Sequence, residues 1–257
     1  MQITNKKILL TGASSGIGKS IAYKLAEEKC TLILIARRIE LLNEIKKDLE
    51  HSGAKVFAYK CNVGNKDEVK SAYKKIKKDA GEIDIAIFSA GTGHRMTADE
   101  YDSELAEDIF GANFFGMIYF IEQLLPGFLK RKSGIIAGVS SMADNKGYSG
   151  SGFYCASKAG TTIYLEGLRI ELKSHGVKVI IIKPGFVKTP MTDKNDFPMP
   201  FMISAEKAAK IIVKGIKKEK RIIQFPLRMV MLTKLIGLLP GRLYEFFSVM
   251  FDKHFKK

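Results

Sequence analysis

Two side chains that can move a proton together stand four residues apart, at Tyr154 and Lys158 in the segment YCASK. On a helix this spacing is about one turn, so the phenol and the ammonium lie on the same face. Because a cation favours phenolate over phenol, we expect Lys158 to lower the pKa of Tyr154 from its ordinary value of about 10. Such a tyrosine can donate a proton to a carbonyl oxygen or accept one from an alcohol. The pair therefore predicts acid–base chemistry at a carbon–oxygen bond.

A glycine-rich turn near the start of the chain offers a site for a nucleotide. The segment TGASSGIG places Gly12, Gly16 and Gly18 directly after an apolar strand and before a helical pattern. Small residues let the backbone approach a pyrophosphate, and the free N–H groups of a helix N-terminus favour the anion. The spacing differs from the G-x-G-x-x-G fingerprint, and a tight turn alone would also use glycine. The position after the first strand favours the nucleotide site.

Two arginines at the end of the second predicted strand bear on which nucleotide binds. The strand ends in LILIARR, so Arg37 and Arg38 stand where an NAD-preferring site has an acid for the ribose 2′-hydroxyl. Guanidinium groups can instead clamp a 2′-phosphate. A solvated helix start would explain the same residues, but the pattern favours NADP(H).

Apolar segments of strand length alternate with amphipathic segments along most of the chain. Strands are expected at residues 7–10, 32–36, 56–59, 83–88, 134–139, 177–182 and 221–225. Helices are expected at residues 18–29, 39–52, 66–79, 104–130, 152–175 and 205–218. Several strands are continuous runs of Ile, Leu and Val, as in strands that helices bury on both faces. The pattern predicts an α/β fold, a Rossmann-type doubly wound parallel sheet of about seven strands with helices on both faces and a C-terminal helical extension.

Six short motifs follow one another in an order that is typical of one enzyme family. They are TGASSGIG, FSAG at residues 88–91, GANFFG around Asn113, VSS at residues 139–141, YCASK, and KPGFVKT at residues 183–189. In these motifs the chain resembles the short-chain dehydrogenase/reductase family, over residues 6–192. The resemblance implies an NADP-dependent oxidoreductase that acts on a CH–OH group or on the corresponding carbonyl.

The resemblance also implies roles for individual residues. Tyr154 would be the acid–base, and Lys158 would bind the nicotinamide ribose and lower the pKa of the tyrosine. Ser141 would hydrogen-bond the substrate carbonyl, and Asn113 would hold a water that continues the proton path to Lys158. The implied cofactor site consists of Gly12, Ser14, Ser15, Gly16, Ile17, Gly18, Arg37, Arg38, Asn62, Val63, Ala90, Gly91, Tyr154, Lys158, Pro184, Gly185, Val187 and Thr189.

The implied cofactor residues would contact different parts of the nucleotide. Two positions of the chain, 89 and 62, depart from the family pattern. Residues 184–189 would frame the nicotinamide carboxamide, residues 90–91 would flank the adenine-side ribose, and residues 14–17 would line the pyrophosphate and ribose. The usual NNAG is FSAG here, with Ser89 replacing an asparagine that ties the fourth strand to its neighbour. The usual aspartate after the third strand is Asn62, whose amide can still hydrogen-bond adenine.

The chain is strongly basic, and much of its charge lies in a hydrophobic tail. The net charge is +15, and residues 204–257 hold thirteen Lys/Arg and four Asp/Glu, a difference of +9. Pro226 and Pro240–Gly241 divide the tail into two helices, of which the first is apolar nearly all round. The second carries an apolar stripe of helical period (Leu243, Phe246, Phe247, Met250, Phe251) opposite Arg242, Glu245, Asp252 and Lys253.

Two locations for this tail remain open from the sequence. It could pack on the protein or on a second subunit, or it could lie on an anionic membrane surface with the help of flanking lysines. Its longest apolar run is four residues, too short to span a bilayer. In either case the tail would lie near a lid rich in Met and Phe at residues 189–203, which favours a lipophilic carbonyl or alcohol substrate. The expected division is a catalytic NADP-binding domain at 1–225 and an extension at 226–257.

Other classes of protein fit the sequence less well. Three distant cysteines without C-x-x-C spacing predict neither disulfides nor a metal site, and no signal peptide precedes the first strand, so a cytoplasmic protein is expected. We expect a homo-dimer or homo-tetramer. The charge alone does not indicate nucleic-acid binding, since no recognised motif accompanies it. The alternative to an enzyme is a non-catalytic NADP-sensing or scaffold protein, which would have no need of the Tyr–Lys pair.

Overall fold

A seven-stranded parallel sheet forms the centre of the computed structural model, which describes residues 1–255 and their side chains as far as Asp252. The strands of the described chain are β1 (Lys7–Thr11), β2 (Thr31–Ala36), β3 (Lys55–Lys60), β4 (Ile85–Phe88), β5 (Gly134–Val139), β6 (Val177–Pro184), β7 (Val187–Lys188), β8 (Ile203–Ser204) and β9 (Ile222–Phe225). The main sheet has the order β3-β2-β1-β4-β5-β6-β9, and β7 pairs with β8 apart from it. The predicted doubly wound parallel sheet is confirmed.

Helices cover both faces of the sheet and divide the hydrophobic core into two layers. The α-helices are α1 (Gly16–Ala26), α2 (Ile39–His51), α3 (Lys66–Ala80), α4 (Ser103–Phe110), α5 (Gly116–Arg131), α6 (Gly152–Leu172), α7 (Ala205–Lys217), α8 (Leu227–Leu238) and α9 (Gly241–Phe255). Residues of α1, α2 and α7 form one core layer, and residues of α3, α5 and α6 form the other. Side chains alternate along β1, where Ile8 and Leu10 enter the first layer and Leu9 enters the second.

The strand order places a crevice between β1 and β4. The chain runs outward from β1 to β2 and β3, and then returns to the other side of β1 with β4. At such a reversal the loops after the strands diverge, and ligands of open α/β sheets bind in the resulting crevice. The glycine-rich turn follows β1, and the segment Ser89–Gly91 follows β4, so both lie at this edge.

The predicted helix at residues 104–130 contains a break. A π-helical segment at Gly111–Phe115 separates α4 from α5, so the helical stretch from Ser103 to Arg131 is not regular throughout. This stretch is long and apolar enough to cross a membrane, with a mean hydropathy of 1.2. However, Phe120, Leu124 and Phe128 are buried in the second core layer. Core packing therefore accounts for its apolar character.

The C-terminal tail forms two helices that lie against the loop after β5. On α8, Val230 and Thr233 are buried, and the carbonyl of Thr233 accepts a hydrogen bond of 3.1 Å from Asn145 Nδ2. On α9, the Tyr244 hydroxyl donates to the carbonyl of Gly147. The tail is thus fixed to the segment between β5 and α6. The side chain of Lys253, expected on the polar side of α9, lies outside the described residues.

Candidate active site

Tyr154 and Lys158 lie one above the other on α6, as their spacing predicts. The Nζ atom of Lys158 is 5.7 Å from the centroid of the Tyr154 ring. It donates a 3.0 Å hydrogen bond to the carbonyl of Val139, the last residue of β5. Lys158 is buried, and this strand-end carbonyl anchors its ammonium. The pair therefore lies where the carboxyl end of a central strand meets the first turns of α6.

Burial affects the pKa values of both groups, and for Tyr154 the result differs from the prediction. Burial lowers the pKa of Lys158 from 10.5 to about 8. Burial also raises the pKa of Tyr154, and a hydrogen bond with Ser141 opposes that rise in part. The prediction that the pKa of Tyr154 is lowered overall is therefore wrong. The reason is that loss of hydration destabilises the phenolate by more than the hydrogen bond with Ser141 stabilises it.

Ser141 meets Tyr154 from the loop after β5. It precedes a short 3₁₀ turn at Met142–Asp144, and its Oγ caps that turn by accepting a 3.1 Å hydrogen bond from Ala143 N. Its hydrogen bond with the Tyr154 side chain brings the two hydroxyl groups together. A carbonyl oxygen placed beside both could accept from both. The structure therefore unites Ser141, Tyr154 and Lys158 as expected.

Asn113 reaches the same region from the π-helical segment. Its Oδ1 accepts from Thr92 N at 2.7 Å, and its Nδ2 donates to Thr92 O at 3.0 Å and to Ser157 Oγ at 2.9 Å. A Cβ atom at Gly91 would lie 2.9 Å from Asn113 Oδ1 and 3.4 Å from Lys158 Nζ. Asn113 and Lys158 thus border the same glycine. A cavity of about 10 Å³ beside Asn113 is near the smallest volume that holds one water.

The glycine-rich turn has the close backbone approaches that require glycine. Gly12 has φ +69°, and a Cβ there would lie 2.7 Å from the backbone of Ala90. A Cβ at Gly18 would lie 2.2 Å from the carbonyl oxygen of Gly12. The Thr11 hydroxyl accepts from Ser89 N and Ala90 N, each at 3.2 Å. This hydroxyl joins β1 to the segment after β4, at the position where the family's asparagine pair is missing.

Both arginines after β2 are exposed, and one of them crosses the glycine-rich turn. A terminal nitrogen of Arg38 donates to Ser14 Oγ at 3.1 Å and to Ser15 Oγ at 3.0 Å. Arg37 stands beside it at the end of β2. A guanidinium and two hydroxyls at this place form a donor set that suits a phosphate.

The remaining predicted cofactor residues lie around the same crevice, with Ile17 at the start of α1. A Cβ at Gly16 would lie 3.1 Å from the Thr189 methyl, so the lid reaches the glycine-rich turn. Asn62 is exposed and its Oδ1 accepts from Gly64 N at 3.2 Å, while Val63 is buried in the core. Of the residues after β6, Gly185 N donates to the carbonyl of Phe225 at 2.8 Å, Val187 is buried, and Pro184 ends the strand.

A buried ion pair beside the segment that carries Ser141 was not predicted. Lys183 Nζ lies 2.7 Å from Asp144 Oδ2, and the Asp144 side chain is almost fully buried. The same oxygen accepts from the Thr162 hydroxyl on α6. Ser140 Oγ donates to the carbonyl of Lys158 at 2.8 Å. This cluster joins the ends of β5 and β6 to α6. In the sequence, the ion pair is hinted at by an aspartate soon after VSS (Asp144) and a lysine directly before Pro-Gly (Lys183).

An apolar cavity of about 230 Å³ lies beside Phe153, the residue before Tyr154. It is lined by His94, Met96, Thr97, Ala98, Tyr101, Gly150, Gly152 and Phe153. A Cβ at Gly93 would lie 3.2 Å from the Tyr154 ring, so the loop that carries His94 borders the tyrosine. Among the residues whose side chains are described, no group of three or more His, Cys, Asp or Glu could hold a metal ion.

Comparisons with known proteins agree with this geometry. The family model described as short chain dehydrogenase matches residues 6–198. An uncharacterized oxidoreductase of Myxococcus xanthus is 31% identical over 244 residues, covering 95% of this chain and 96% of its own. The 3-oxoacyl-[acyl-carrier-protein] reductase FabG of Thermotoga maritima is 32% identical over 199 residues, covering 76% and 79%.

Solved structures share the fold at lower sequence identity. A short-chain dehydrogenase/reductase from Burkholderia phymatum in complex with NAD has a TM-score of 0.84 and 21% identity, covering 91% of this chain and 94% of its own. A short-chain dehydrogenase from Sphingobium yanoikuyae in complex with NADPH has a TM-score of 0.80 and 23% identity, covering 92% and 97%. Proteins of this fold bind either nucleotide.

Proposed function

Because this chain belongs to the short-chain dehydrogenase/reductase family, we propose that it is an NADPH-dependent reductase that converts a lipophilic ketone to a secondary alcohol, or catalyses the reverse. The observation that carries the proposal is the convergence of Ser141, Tyr154 and Lys158 at the end of β5. A protein that only senses the nucleotide would have no use for a phenol and a serine hydroxyl in contact beside a buried ammonium. We place the protein in the cytoplasm.

Each proposed catalytic side chain has its own role in the reaction at the carbonyl group. Bound NADPH would supply a hydride to the carbonyl carbon. The hydroxyls of Ser141 and Tyr154 would both donate to the carbonyl oxygen and stabilise the negative charge that develops there. The Tyr154 proton then moves to that oxygen, which completes the alcohol. Lys158 would restore the tyrosine proton, with Asn113 and a water in its neighbourhood as the route to solvent.

The preference for NADPH rests on the two arginines after β2. Arg38 already donates to Ser14 and Ser15 on the glycine-rich turn, and a 2′-phosphate placed there would gain charge-assisted hydrogen bonds. An unphosphorylated ribose would offer the two arginines no anionic partner.

A cofactor-exchange variant tests this preference. In Arg37→Asp/Arg38→Ala, the ratio of kcat/KM for NADPH over NADH should fall by about a hundredfold or more, because the acid repels the phosphate and accepts from the 2′-hydroxyl. The exposed Lys60→Ala at the end of β3 is a control in which the ratio should stay the same. An unchanged ratio in the double variant contradicts the NADPH preference.

The proposed substrate is a ketone on an apolar chain. The cavity beside Phe153 is lined mainly by apolar and aromatic side chains, and the lid adds Phe197, whose ring centroid lies 6.0 Å from that of Phe186. Relatives named as 3-oxoacyl-[acyl-carrier-protein] and ketoacyl reductases make 3-oxoacyl thioesters the first substrates to test. Steroid-like and other apolar ketones belong in the same panel.

The decisive experiment compares Tyr154→Phe with Tyr164→Phe, a tyrosine on the same helix and away from Ser141. Tyr154→Phe should lose at least about a hundredfold in kcat for NADPH-dependent ketone reduction, because it deletes the transferable proton. Its NADPH affinity, measured by nucleotide fluorescence, should stay within about twofold, and Tyr164→Phe should remain active. If the wild-type protein binds NADPH and reduces no ketone in the panel, a non-catalytic NADP-binding role replaces the proposal.

A further inference from the structure

The helix α8 presents an apolar face to the outside of the protein. The exposed face carries Leu227, Met231, Leu235 and Leu238, of which Leu238 is 80% exposed. Their spacing of four, four and three residues keeps them on one side of the helix. The opposite side carries the buried Val230 and Thr233. Only one side of this apolar helix is therefore covered by the protein.

The next helix, α9, leaves most of its apolar side chains exposed. Tyr244 and Ser248 are half-buried against the protein, and Tyr244 donates to the carbonyl of Gly147. Leu243, Phe246 and Met250 are exposed, with Phe246 63% exposed. A helix on a water-soluble surface normally shows the reverse arrangement. We call the exposed apolar side chains of the two helices (Leu227, Met231, Leu235, Leu238, Leu243, Phe246 and Met250) the tail face.

Cations border this surface. Arg228 and Lys234 are exposed on the two flanks of the apolar stripe of α8, and Arg242 is exposed at the start of α9. Lys146 lies 5.0 Å from the Tyr244 ring. Long basic side chains beside an apolar stripe can bury their stems and leave the charge at the level of lipid headgroups.

We propose that the tail face docks on the surface of a membrane that contains anionic lipids, with its apolar side chains among the headgroups and upper acyl chains. The exposed Leu, Met and Phe side chains supply the apolar contact, and the bordering arginines and lysines supply the attraction to anionic headgroups. The +9 charge of residues 204–257 adds to that attraction.

A second copy of the chain would fit this surface less well. In a two-fold contact the same surface meets itself, so the cations that border one tail face would meet those of the other. Like charges oppose such a contact, whereas anionic headgroups neutralise them. A separate exposed pair, Ile163 and Ile170 on α6, gives a second copy another place to bind.

The docked orientation would bring the catalytic cleft to the lipid, a consequence that rests on the proposed function. Both tail helices contact the segment that follows Ser141, through Asn145 and Gly147. The Arg228 guanidinium also lies 5.9 Å from the ring centroid of Phe201 in the lid. A lipophilic ketone dissolved in the membrane would then have a short path to Tyr154.

The experiment is vesicle flotation of the full-length protein with two kinds of vesicle. One is phosphatidylcholine alone, and the other is phosphatidylcholine mixed with phosphatidylglycerol. The wild-type protein should float with the anionic vesicles, and the floated fraction should fall as salt is added, because headgroup attraction is screened. Leu238→Glu should weaken this binding by about tenfold or more. Asn43→Glu is the matched control, since it adds the same negative charge at an exposed position of α2, and it should float like the wild type.

Each contrary result has a defined meaning. Failure of the wild-type protein to float with anionic vesicles at low salt overturns the proposal, and so does equal binding to both kinds of vesicle. If Leu238→Glu changes the molar mass in light scattering and leaves flotation unchanged, a second copy occupies the tail face instead. Tyr154→Phe should float normally, so membrane docking and ketone reduction can fail independently.

Discussion

Loss of water controls the protonation of Tyr154 and Lys158 more than their mutual influence does. The sequence places the two side chains on one face of a helix, and the structure confirms that arrangement. The sequence does not reveal how deeply each is buried, because burial is decided by β5 and the loop after β4. Burial penalises the charged form of either group, so it raises the pKa of the phenol and lowers the pKa of the ammonium. The spacing was therefore predictable, and the pKa direction was not.

The depressed pKa of Lys158 predicts a cost to stability. Its pKa is about 8 in the folded protein against 10.5 in the ordinary environment, so the unfolded chain binds more proton at this residue between those values. The free energy of unfolding should therefore rise as pH increases from about 8 to 10.5, and the buried charge should be destabilising below pH 8.

Replacing Lys158 measures how much its buried charge destabilises the folded protein. At pH 7, Lys158→Met should raise the free energy of unfolding by about 1–3 kcal/mol, less than the full pKa difference implies because the Val139 carbonyl loses its donor. The variant should also lose ketone reduction. Urea unfolding across pH checks this, with the exposed Lys173→Met as control. A less stable variant at pH 7 contradicts the prediction.

At the scale of elements, the sequence predicts which segments are helices and strands better than how they are interrupted. Continuous Ile, Leu and Val runs mark the central strands, because helices bury both of their faces. The π-helical segment at Gly111–Phe115 was missed, since one shifted hydrogen-bond register leaves the apolar pattern almost unchanged. The small pair β7–β8 was missed because two-residue strands leave no periodicity to detect.

The junction between the π-helical segment and α5 depends on a glycine. A Cβ at Gly116 would lie 2.7 Å from the Val63 side chain, so Gly116→Ala should overpack this contact and lower the free energy of unfolding by about 1–3 kcal/mol. The control is Gly167→Ala on α6, where a Cβ meets no atom within 4 Å. There the higher helix propensity of alanine should raise stability by about 0.5–1 kcal/mol. Chemical denaturation of both variants checks the two opposite signs.

At the scale of the whole molecule, two apolar surfaces lie in different places and suit different partners. The tail face is bordered by cations, whereas Ile163 and Ile170 lie one above the other on α6, with Glu166 between them. The sequence predicts the apolar stripe of α9 but not its exposure, because an amphipathic pattern does not say whether its apolar side turns inward. For α9 the usual assumption of an inward apolar side is wrong.

We expect the α6 surface to join two copies of the chain. Ile163→Glu/Ile170→Glu would place four carboxylates in a two-fold contact, so the double variant should be monomeric where the wild-type protein is a dimer or tetramer. Light scattering after size-exclusion chromatography gives the molar mass directly, and Leu238→Glu serves as the control that keeps the assembly. A wild-type protein with the mass of one chain would exclude this contact.

The ion pair of Lys183 and Asp144 restricts how this sequence can diverge. Removing either partner leaves a charge almost without water beside the segment that carries Ser141, and such a loss typically costs about 3–5 kcal/mol. Replacing both by uncharged residues of similar volume removes both buried charges at once, so neither is left without a partner. The positions are therefore epistatic: a change at one is tolerated only after, or along with, a change at the other. Descendants of this protein should keep both charges or lose both, and intermediates with one should be short-lived.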